Sequence, residues 1–169
     1  MNGLMNQSAS TGPYDSTLDT QAHIHAVGVN IANVLGNLRY RALNHDQSKL
    51  IDPEKSVFDE VTPKLRGLTY GSDAYKASLA EMGVALTHHY QHNSHHPEHF
   101  ENGIDGMSLL DVLEMLCDWK AATERHADGD YGKSLNINRA RFGIGDQLFF
   151  VIVATAKELG FVPADWVPA

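Results

Sequence analysis

The chain has 169 residues, the usual size of one domain, and 43% of them are apolar, which is ordinary for a globular protein. Its 13 lysines and arginines against 21 aspartates and glutamates give a net charge of −8, which argues against binding to duplex nucleic acid or anionic membranes through basic patches. The lone Cys117 excludes an intrachain disulfide framework. Neither a signal-peptide pattern nor a membrane-length apolar run is found, so we expect a cytoplasmic protein that does not bind membranes.

The first predicted helix follows a polar segment that contains Gly, Pro and several Ser residues. Ser16 to Asp19 resembles a capping box, and apolar residues then recur at helical spacing from Ile24 to Leu35. A break is predicted at Gly36-Asn37. A short helix from Leu38 to Asn44 is expected after it.

Further helices are predicted by start signals and apolar spacing. They begin at Asp52-Pro53-Glu54, at Ser72 with an end at Pro97, at Ser108 with an end near Ala127, and at Ile144 with an end at Leu159. No alternating strand pattern and no repeat is present. The predicted fold class is therefore all-α, with a flexible tail, residues 1–16, and one compact helical domain, residues 17–169.

Histidine is the most unusual feature of the composition, because six of the ten histidines fall between His88 and His99. Imidazole together with carboxylate is a donor set for Fe, Mn, Zn, Co or Ni. Four clusters carry most of these donors: His23 and His25; His45 and Asp46; the histidines of residues 88–99; and Asp111, Glu114 and Asp118. Ligands from separate helices can converge in the core of a helical bundle.

Geometry sets a condition on the first two clusters. In one straight helix, His25 and His45 would lie about 30 Å apart, and they could not share an ion. A reversal of the chain at Gly36-Asn37 would bring both to the same end of a helical hairpin. A shared metal ion therefore requires the chain to turn there.

Helical phase divides the central histidines into two sets. Continuing the buried stripe from Leu86 places His89, Asn93 and His96 on the core-facing side. The others, His88, His92, His95 and His99, are predicted to face solvent or the rim of a pocket. The placement of His95 is left open, because Pro97 distorts the helix at this point.

The helix that begins at Ser108 carries a narrow polar strip between apolar flanks. Its members are Asp111, Glu114, Asp118 and Arg125. A solvated helix face is usually broader and richer in lysine. This pattern is typical of a helix that lines a polar site.

The order of these motifs resembles the HD-domain metal-dependent phosphohydrolases. The matching segments are His25, Asn44-His45-Asp46-Gln47-Ser48-Lys49, His89, His95-His96 and Cys117-Asp118. The His95-His96-Pro97-Glu98 segment is also similar to the His-His-Glu of the HD-GYP branch, although the GYP triplet is absent. The segments 95–99 and 114–119 resemble an uncharacterised family of phage and bacterial proteins.

The resemblance implies an all-α fold and one or two divalent ions, with Mn, Fe, Ni, Co, Mg and Zn all open. It implies that His25, His45, Asp46 and Asp118 bind one ion, that His89 and His96 bind a second, with His95 as an additional candidate, and that Asp46 bridges. The spacing of 20 residues between His25 and His45 leaves His23 open as the first ligand.

Further roles follow for residues around the ions. Lys49 would hold a substrate phosphate. Other phosphate-binding candidates are Arg125, Lys133, Arg139 and Arg141. Glu114, Glu98 and Asn93 would orient the ligands from behind. The implied substrate is a nucleotide or other small phosphoester, in a bacterial cell or a phage-infected host.

Two other functions stay open. An HD-like protein similar to inositol oxygenase would use two irons to activate oxygen, and a non-catalytic helical protein would hold a metal for structure alone. A homodimer is also open, with Trp166 and residues 149–153 as interface candidates. A structural condition accompanies the metal hypothesis: His45, Asp46 and Asp118 must approach within about 4–5 Å of one another.

Overall fold

The computed structural model describes residues 14–65, 68, 72–125 and 128–169. In these ranges the chain forms α-helices and no strand, which confirms the all-α prediction. The helices are α1 Thr17–Asn44, α2 Glu54–Leu65, α3 Asp73–Glu81, α4 Gly83–His92, α5 Leu109–Glu124, α6 Tyr131–Phe142 and α7 Asp146–Glu158. Short 3-10 helices lie at Gln47–Leu50, Pro97–His99 and Gly103–Gly106. None of the helices that the structure describes is both long and apolar enough to cross a membrane.

The chain divides into two compact units, residues 1–39 and residues 40–169. The described part of the first unit consists of residues 14–16 and most of α1, and no residue of α1 is buried. Most of the predicted tail, residues 1–13, lies outside the described residues, as do His126 and Ala127.

The predicted turn at Gly36-Asn37 is wrong, because α1 is continuous from Thr17 to Asn44. Glycine inside a helix costs about 1 kcal/mol relative to alanine, which lowers helix stability without ending the helix. The side-chain amide of Asn37 donates a hydrogen bond of 2.9 Å to the carbonyl of Asn33, so it is accommodated within the helix. The condition that His25 and His45 needed in order to share an ion is therefore not met.

The core of the second unit is formed mainly by α5, α6 and α7. It contains Val112, Met115, Leu116, Trp119, Tyr131, Leu135, Phe149, Ile152, Val153 and Ala156, with Ile104, Ile144 and Val162 from the connecting segments. Phe149 is fully buried, whereas the next residue, Phe150, is exposed. The apolar run 149–153 therefore supplies the core on one helix face, and Trp166 packs partly buried against the same core.

Capping residues mark the start of α5 and both ends of α6. Ser108 caps the start of α5, as the sequence predicts, and it forms a reciprocal capping box with Asp111. Helix α6 is not predicted from the sequence, although Asp130 accepts a hydrogen bond from the Lys133 amide at its start and Gly143 ends it with φ of 61°. The helix is mostly polar along its length, so apolar periodicity alone does not identify it.

One long helix from Ser72 to Pro97 was predicted, and the structure has two shorter ones. The chain leaves helical geometry between α3 and α4, where Gly83 has φ of +30°, a conformation that glycine adopts readily. Helix α4 then ends at His92, and Asn93 is extended. Helical phase therefore stops before His95 and His96, and their positions are set by a turn instead.

Candidate metal centre

The centre begins directly after α1, within the second unit. Asn44 ends the helix, and Asp46 adopts a left-handed conformation with φ of 56° and ψ of 17° before the 3-10 helix that starts at Gln47. Aspartate tolerates this region better than most residues, and such backbone conformations are common at functional sites. The turn places the His45 side chain beside Asp118 of α5 and the Asp46 side chain beside His89 in the last turn of α4.

Imidazole nitrogens from three places in the chain converge on the carboxylate of Asp46. The Nε2 atoms of His89 and His95 lie 3.3 Å and 3.4 Å from its Oδ1 atom. The Nε2 atom of His45 lies 3.5 Å from its Oδ2 atom. At metal–ligand distances of about 2.0–2.2 Å, two ligands of one tetrahedral ion lie about 3.3–3.6 Å apart, so these separations fit ligands of shared ions.

Three groups of side chains each offer donor atoms within 4.8 Å of one another. They are Asp46 with His89, His95 and His96; His45 with Asp46 and Asp118; and His45 with His95 and Glu114. The first two groups share Asp46. The second group meets the condition that His45, Asp46 and Asp118 approach within about 4–5 Å of one another. Each of the three groups could hold a metal ion.

Two buried atoms at the centre lack any hydrogen-bond partner. They are Oδ1 of Asp46 and Nε2 of His95, which face each other at 3.4 Å. An unsatisfied buried polar atom is destabilising, and most native structures provide it with a partner. A cation between these two atoms would satisfy both, so the residues fit a bound metal ion.

Carboxylates lie behind the imidazoles on the side away from Asp46. His89 donates through Nδ1 to Oε2 of Glu54 at 2.9 Å, and His45 donates through Nδ1 to Oε1 of Glu114 at 2.9 Å. The Nδ1 atom of His95 lies 3.3 Å from the same Glu114 oxygen. A carboxylate on Nδ1 orients the ring and leaves Nε2 as the donor toward a metal.

Glu114 is itself fixed by a cation from the end of α1. The Nη1 atom of Arg41 donates to Oε2 of Glu114 at 2.9 Å and to Oδ1 of Asp111 at 2.8 Å. Ser94 also donates to Oδ1 of Asp111, at 2.6 Å. Since Asp111 belongs to the capping box of α5, the orientation of Glu114 is tied to the start of that helix.

The electrostatic environment favours a cation. Glu114 and Asp118 raise the pKa of His45, the hydrogen bond to Asp118 having the larger effect, and the pKa reaches about 10. Burial, together with the charges of His95 and His89, lowers the pKa of His96 to about 3. Burial lowers the pKa of His89 as well, so this ring is neutral and can bind metal at neutral pH.

The acidic groups of the centre stay ionised. Burial alone would raise the pKa of Glu114, but hydrogen bonds from His45 and His95 hold it well below its ordinary range. The pKa of Asp46 is lowered too, since Lys49 offsets the effect of its burial. The carboxylates at this centre outnumber its cationic groups, which are Arg41, Lys49 and the protonated His45. The five carboxylates are Asp46, Glu54, Asp111, Glu114 and Asp118. An added divalent cation is therefore favoured electrostatically.

The predicted phosphate-binding residues have different surroundings. The Nζ atom of Lys49 lies 2.5 Å from Oδ2 of Asp46 and 5.1 Å from the centre of the Phe58 ring, so it borders the centre. Arg125 is the exposed residue that ends α5. Arg139 contacts Asp146, and exposed Lys133 lies 3.9 Å from Asp130.

Glu98 does not orient a histidine ligand in this structure, contrary to the prediction. Its Oε1 atom accepts a hydrogen bond of 2.7 Å from Arg141, which therefore has a carboxylate partner away from the centre. Asn93 is buried as predicted, and it donates to Ser48 Oγ at 2.8 Å. Ser48 in turn donates to Glu54 at 3.0 Å, so Asn93 supports the carboxylate behind His89.

The central histidines differ in their burial, and helical phase predicts the burial of those on α4. His89 is buried as expected, and His92 and His99 are exposed as expected. His95, whose placement the sequence leaves open, is 2% exposed, because the turn after α4 directs it inward. His88 is half-buried, and it donates through Nδ1 to Oε1 of Glu54 at 2.7 Å.

His23 and His25 do not join the centre. Both are exposed on α1, and neither belongs to a metal-binding group among the residues that the structure describes. The prediction of His25 as a ligand of the same ion as His45 depended on the turn that α1 lacks. His95 instead contributes an imidazole near both His45 and Asp46.

Two residues that contact the centre, Glu54 and Arg41, were missed by sequence reasoning. Glu54 is fully buried at the first position of α2, and Arg41 is the basic residue in the last turn of α1. Both positions have ordinary local explanations, since acids favour helix starts and bases favour helix ends. Only their long-range contacts reveal the role, so no local signal identifies them.

A family model described as a family of unknown function, DUF5662, matches residues 12–155. The matched range includes every residue of the centre described above. No curated protein and no solved structure matches the chain.

Proposed function

The chain belongs to DUF5662, whose description assigns no function, and we propose that it is a metal-dependent phosphohydrolase acting on a nucleotide or another small phosphoester. The observation that carries the proposal is that three imidazole rings each lie between Asp46 and a second carboxylate. His45, His89 and His95 direct Nε2 toward Asp46 and have a carboxylate at Nδ1. This arrangement of ligand, ring and outer carboxylate is typical of metal sites in enzymes.

Two ion positions that share Asp46 are supported by the donor groups. Asp46, His89, His95 and His96 offer four protein ligands, and the side chains of His89 and His95 are 2% exposed. His45, Asp46 and Asp118 offer three, and their side chains are 19% to 29% exposed. Catalytic metal positions keep a coordination place for water or substrate, so we assign the substrate side to His45, Asp46 and Asp118.

The donor set favours a transition ion over magnesium at the four-ligand position. Three of its four donors are imidazoles, which suit Fe, Zn, Ni and Co better than the oxygen-seeking Mg²⁺. A bound ion of this kind would lower the pKa of a coordinated water toward neutrality and offset the negative charge of a phosphate. The protein's own residues then have to orient the phosphoester.

Lys49 is the residue best placed for this task. Its ammonium group contacts Asp46, and its side chain is 31% exposed, so it can contact a ligand in solvent while remaining beside the centre. Arg41 is engaged by Asp111 and Glu114, and it orients Glu114 instead of holding substrate. Glu114 keeps His45 and His95 aimed at the ions. The reaction class itself rests on the resemblance to HD-domain phosphohydrolases.

The test is metal content combined with phosphate release. The purified protein is stripped with a chelator, reloaded separately with Mn, Fe, Co, Ni, Zn or Mg, and assayed on nucleoside mono-, di- and triphosphates. We expect bound transition metal and metal-dependent release of phosphate, both lost in Asp46→Asn and Asp118→Asn. Asp105→Asn, at an exposed acid outside the three groups, is the matched control and should behave like the unaltered protein.

Two results would overturn the proposal. One is a protein that retains no metal and shows no metal-dependent turnover. The other is iron binding with oxygen consumption but without phosphate release, which would favour the oxygenase hypothesis.

A further inference from the structure

The two oxygens of the Asp46 carboxylate have different surroundings. Oδ1 lies 3.3 Å and 3.4 Å from the Nε2 atoms of His89 and His95, and it accepts no hydrogen bond from the part of the chain that the structure describes. Oδ2 lies 2.5 Å from the Nζ atom of Lys49 and 3.5 Å from Nε2 of His45. One oxygen is therefore unpartnered, whereas the other already contacts a cation that belongs to the chain.

These surroundings assign each oxygen to one of the two ion positions. We call the group of Asp46, His89, His95 and His96 the inner position and the group of His45, Asp46 and Asp118 the outer position. At the outer position, Nε2 of His45 lies 3.7 Å from Oδ1 of Asp118 and approaches Asp46 at Oδ2. The ammonium group of Lys49 therefore contacts the oxygen that an outer ion would use.

Two cations on this oxygen would repel each other. A divalent ion binds a carboxylate oxygen at about 2.0–2.2 Å, and the ammonium group already lies 2.5 Å from Oδ2. The carboxylate is half-buried, so water screens the repulsion poorly. We propose that Lys49 is a placeholder cation, which occupies the outer position in the metal-free chain and has to leave Asp46 before the outer ion binds. This inference rests on the proposed function, because it concerns the ion position on the substrate side.

The Lys49 side chain can leave Asp46 without a change in the backbone. Its amide nitrogen donates a hydrogen bond of 2.9 Å to the carbonyl of Asp46, at the start of the 3-10 helix Gln47–Leu50. The contact with the carboxylate depends on the flexible four-carbon stem, whose rotation leaves this backbone bond in place. The side chain is 31% exposed, and its ammonium group lies 5.1 Å from the centre of the Phe58 ring. Water and the face of this ring can therefore stabilise the released cation.

The two ion positions should fill in order. At the inner position four donors converge, with Nε2 of His89 and Nε2 of His96 only 2.9 Å apart. Among the described residues no lysine or arginine contacts Oδ1 of Asp46. The outer position has three donors and a resident ammonium group. The first ion therefore binds at the inner position, and the second ion competes with Lys49.

Displacement by the second ion also makes Lys49 available to an anion. With one ion bound, the ammonium group is still held by Asp46. With two ions bound, it lies beside two divalent charges, whose repulsion a phosphate group would offset. Because coupling between two ligands is reciprocal, phosphate bound by Lys49 would tighten the second ion by the same factor. Lys49 therefore contributes to phosphate binding only in the two-ion state.

The first test is equilibrium dialysis of the metal-free full chain against Co²⁺ at a fixed pH. We expect two binding steps in the unaltered protein. Lys49→Met should tighten the second step by about tenfold or more, and the first step by much less, because the competing charge at Oδ2 is gone. Lys49→Arg keeps a cation beside Asp46 and should behave like the unaltered protein.

Lys55→Met is the matched control for this test. It removes the same charge from an exposed lysine of α2, which pairs with Asp59 away from the centre. Both Co²⁺ steps should remain as in the unaltered protein. Circular dichroism checks that every variant keeps its helical content.

The second test is calorimetric titration with inorganic phosphate of the protein that holds one or two equivalents of Co²⁺. In the two-ion protein, Lys49→Met should weaken phosphate binding by about tenfold or more, since a charged hydrogen-bond donor is lost. In the one-ion protein the same substitution should leave phosphate binding unchanged, because Lys49 is then held by Asp46. A lysine that merely stabilised the fold would give no such difference between the two states.

Four results would overturn the inference. They are a single Co²⁺ step in both the unaltered protein and Lys49→Met, a second step that Lys49→Met weakens or leaves unchanged, equal effects of Lys49→Met and Lys55→Met on that step, and equal effects of Lys49→Met on phosphate binding in the one-ion and two-ion proteins. Each of these results is compatible with metal-dependent release of phosphate from a nucleotide, so the proposed function would stand. A protein that binds no metal would overturn both.

Discussion

His89 and Glu54 lie 35 residues apart in the chain, and their Nδ1 and Oε2 atoms are 2.9 Å apart with both side chains almost completely buried. A buried carboxylate without a partner is very unfavourable, whereas here Glu54 also accepts hydrogen bonds from Ser48 and His88. This fully satisfied carboxylate holds the His89 ring with Nε2 toward Asp46.

Glu54→Gln should weaken metal binding by about 10- to 100-fold, because the amide replaces the charged acceptor that orients His89. Competition with a chromophoric chelator measures the affinity. Glu60→Gln, at an exposed position on the same helix, is the control and should leave the affinity unchanged. Equal affinities for the Glu54 variant and the unaltered protein would show that the carboxylate has no part in metal binding.

Arg41→Lys should also weaken metal binding, by a smaller factor than Glu54→Gln. Lysine keeps the charge, but it lacks the planar fork of arginine, so it orients two carboxylates less well. The expected consequence is a less ordered Glu114 and, through it, less ordered His45 and His95 rings. Histidine NMR signals measured with and without metal report this directly. Broadening confined to residues other than His45 and His95 would contradict the role assigned to Arg41.

Asp111→Asn should reduce the loss of stability at acid pH. Burial alone would raise the pKa of Asp111, but hydrogen bonds from Ser108, Ser94 and Arg41 lower it below the ordinary value of 3.8. A lowered pKa stabilises the folded state above pH 3.8, and this contribution disappears as the pH falls through the folded-state value.

Urea unfolding of the metal-free protein at a series of pH values checks this. The difference in unfolding free energy between the unaltered protein and Asp111→Asn should be largest near neutral pH and should shrink on acidification. A difference that stays constant with pH would mean that ionised Asp111 is not the stabilising form.

Gly132→Ala should destabilise the fold by about 1–3 kcal/mol, because a Cβ atom there would overlap the indole ring of Trp166. Thermal and urea unfolding measure the change. The same substitution in a Trp166→Ala background is the control, since removal of the indole should abolish most of the penalty. Equal penalties in the two backgrounds would place the cause elsewhere in α6.

Local patterns in the sequence predicted the parts of the centre that depend on local geometry. Asp111, Glu114 and Asp118 fall on one face of α5 because that helix is regular and begins at a capping box that is visible in the sequence. His89 and Asn93 are one helical turn apart, and both are buried as predicted. Helical phase is a reliable guide only as far as the helix itself extends.

Prediction from the sequence fails where the chain leaves helical geometry and where contacts between distant residues determine the position of a side chain. His95 follows the end of α4, so a turn rather than helical phase directs it inward. The Gly36-Asn37 pair resembles a break, but the helix continues through it. Arg41 and Glu114 are 73 residues apart, and no local pattern relates them.

The centre is assembled from distant segments, because His45 and Glu114 are 69 residues apart in the chain. An unfolded chain does not hold these distant donors together, so an ion that binds the folded centre binds it more tightly than the unfolded state. The free energy of metal binding is then also free energy of folding, and the melting temperature should rise with metal concentration. The abundance of the folded protein in a cell would in that case depend on the supply of its metal.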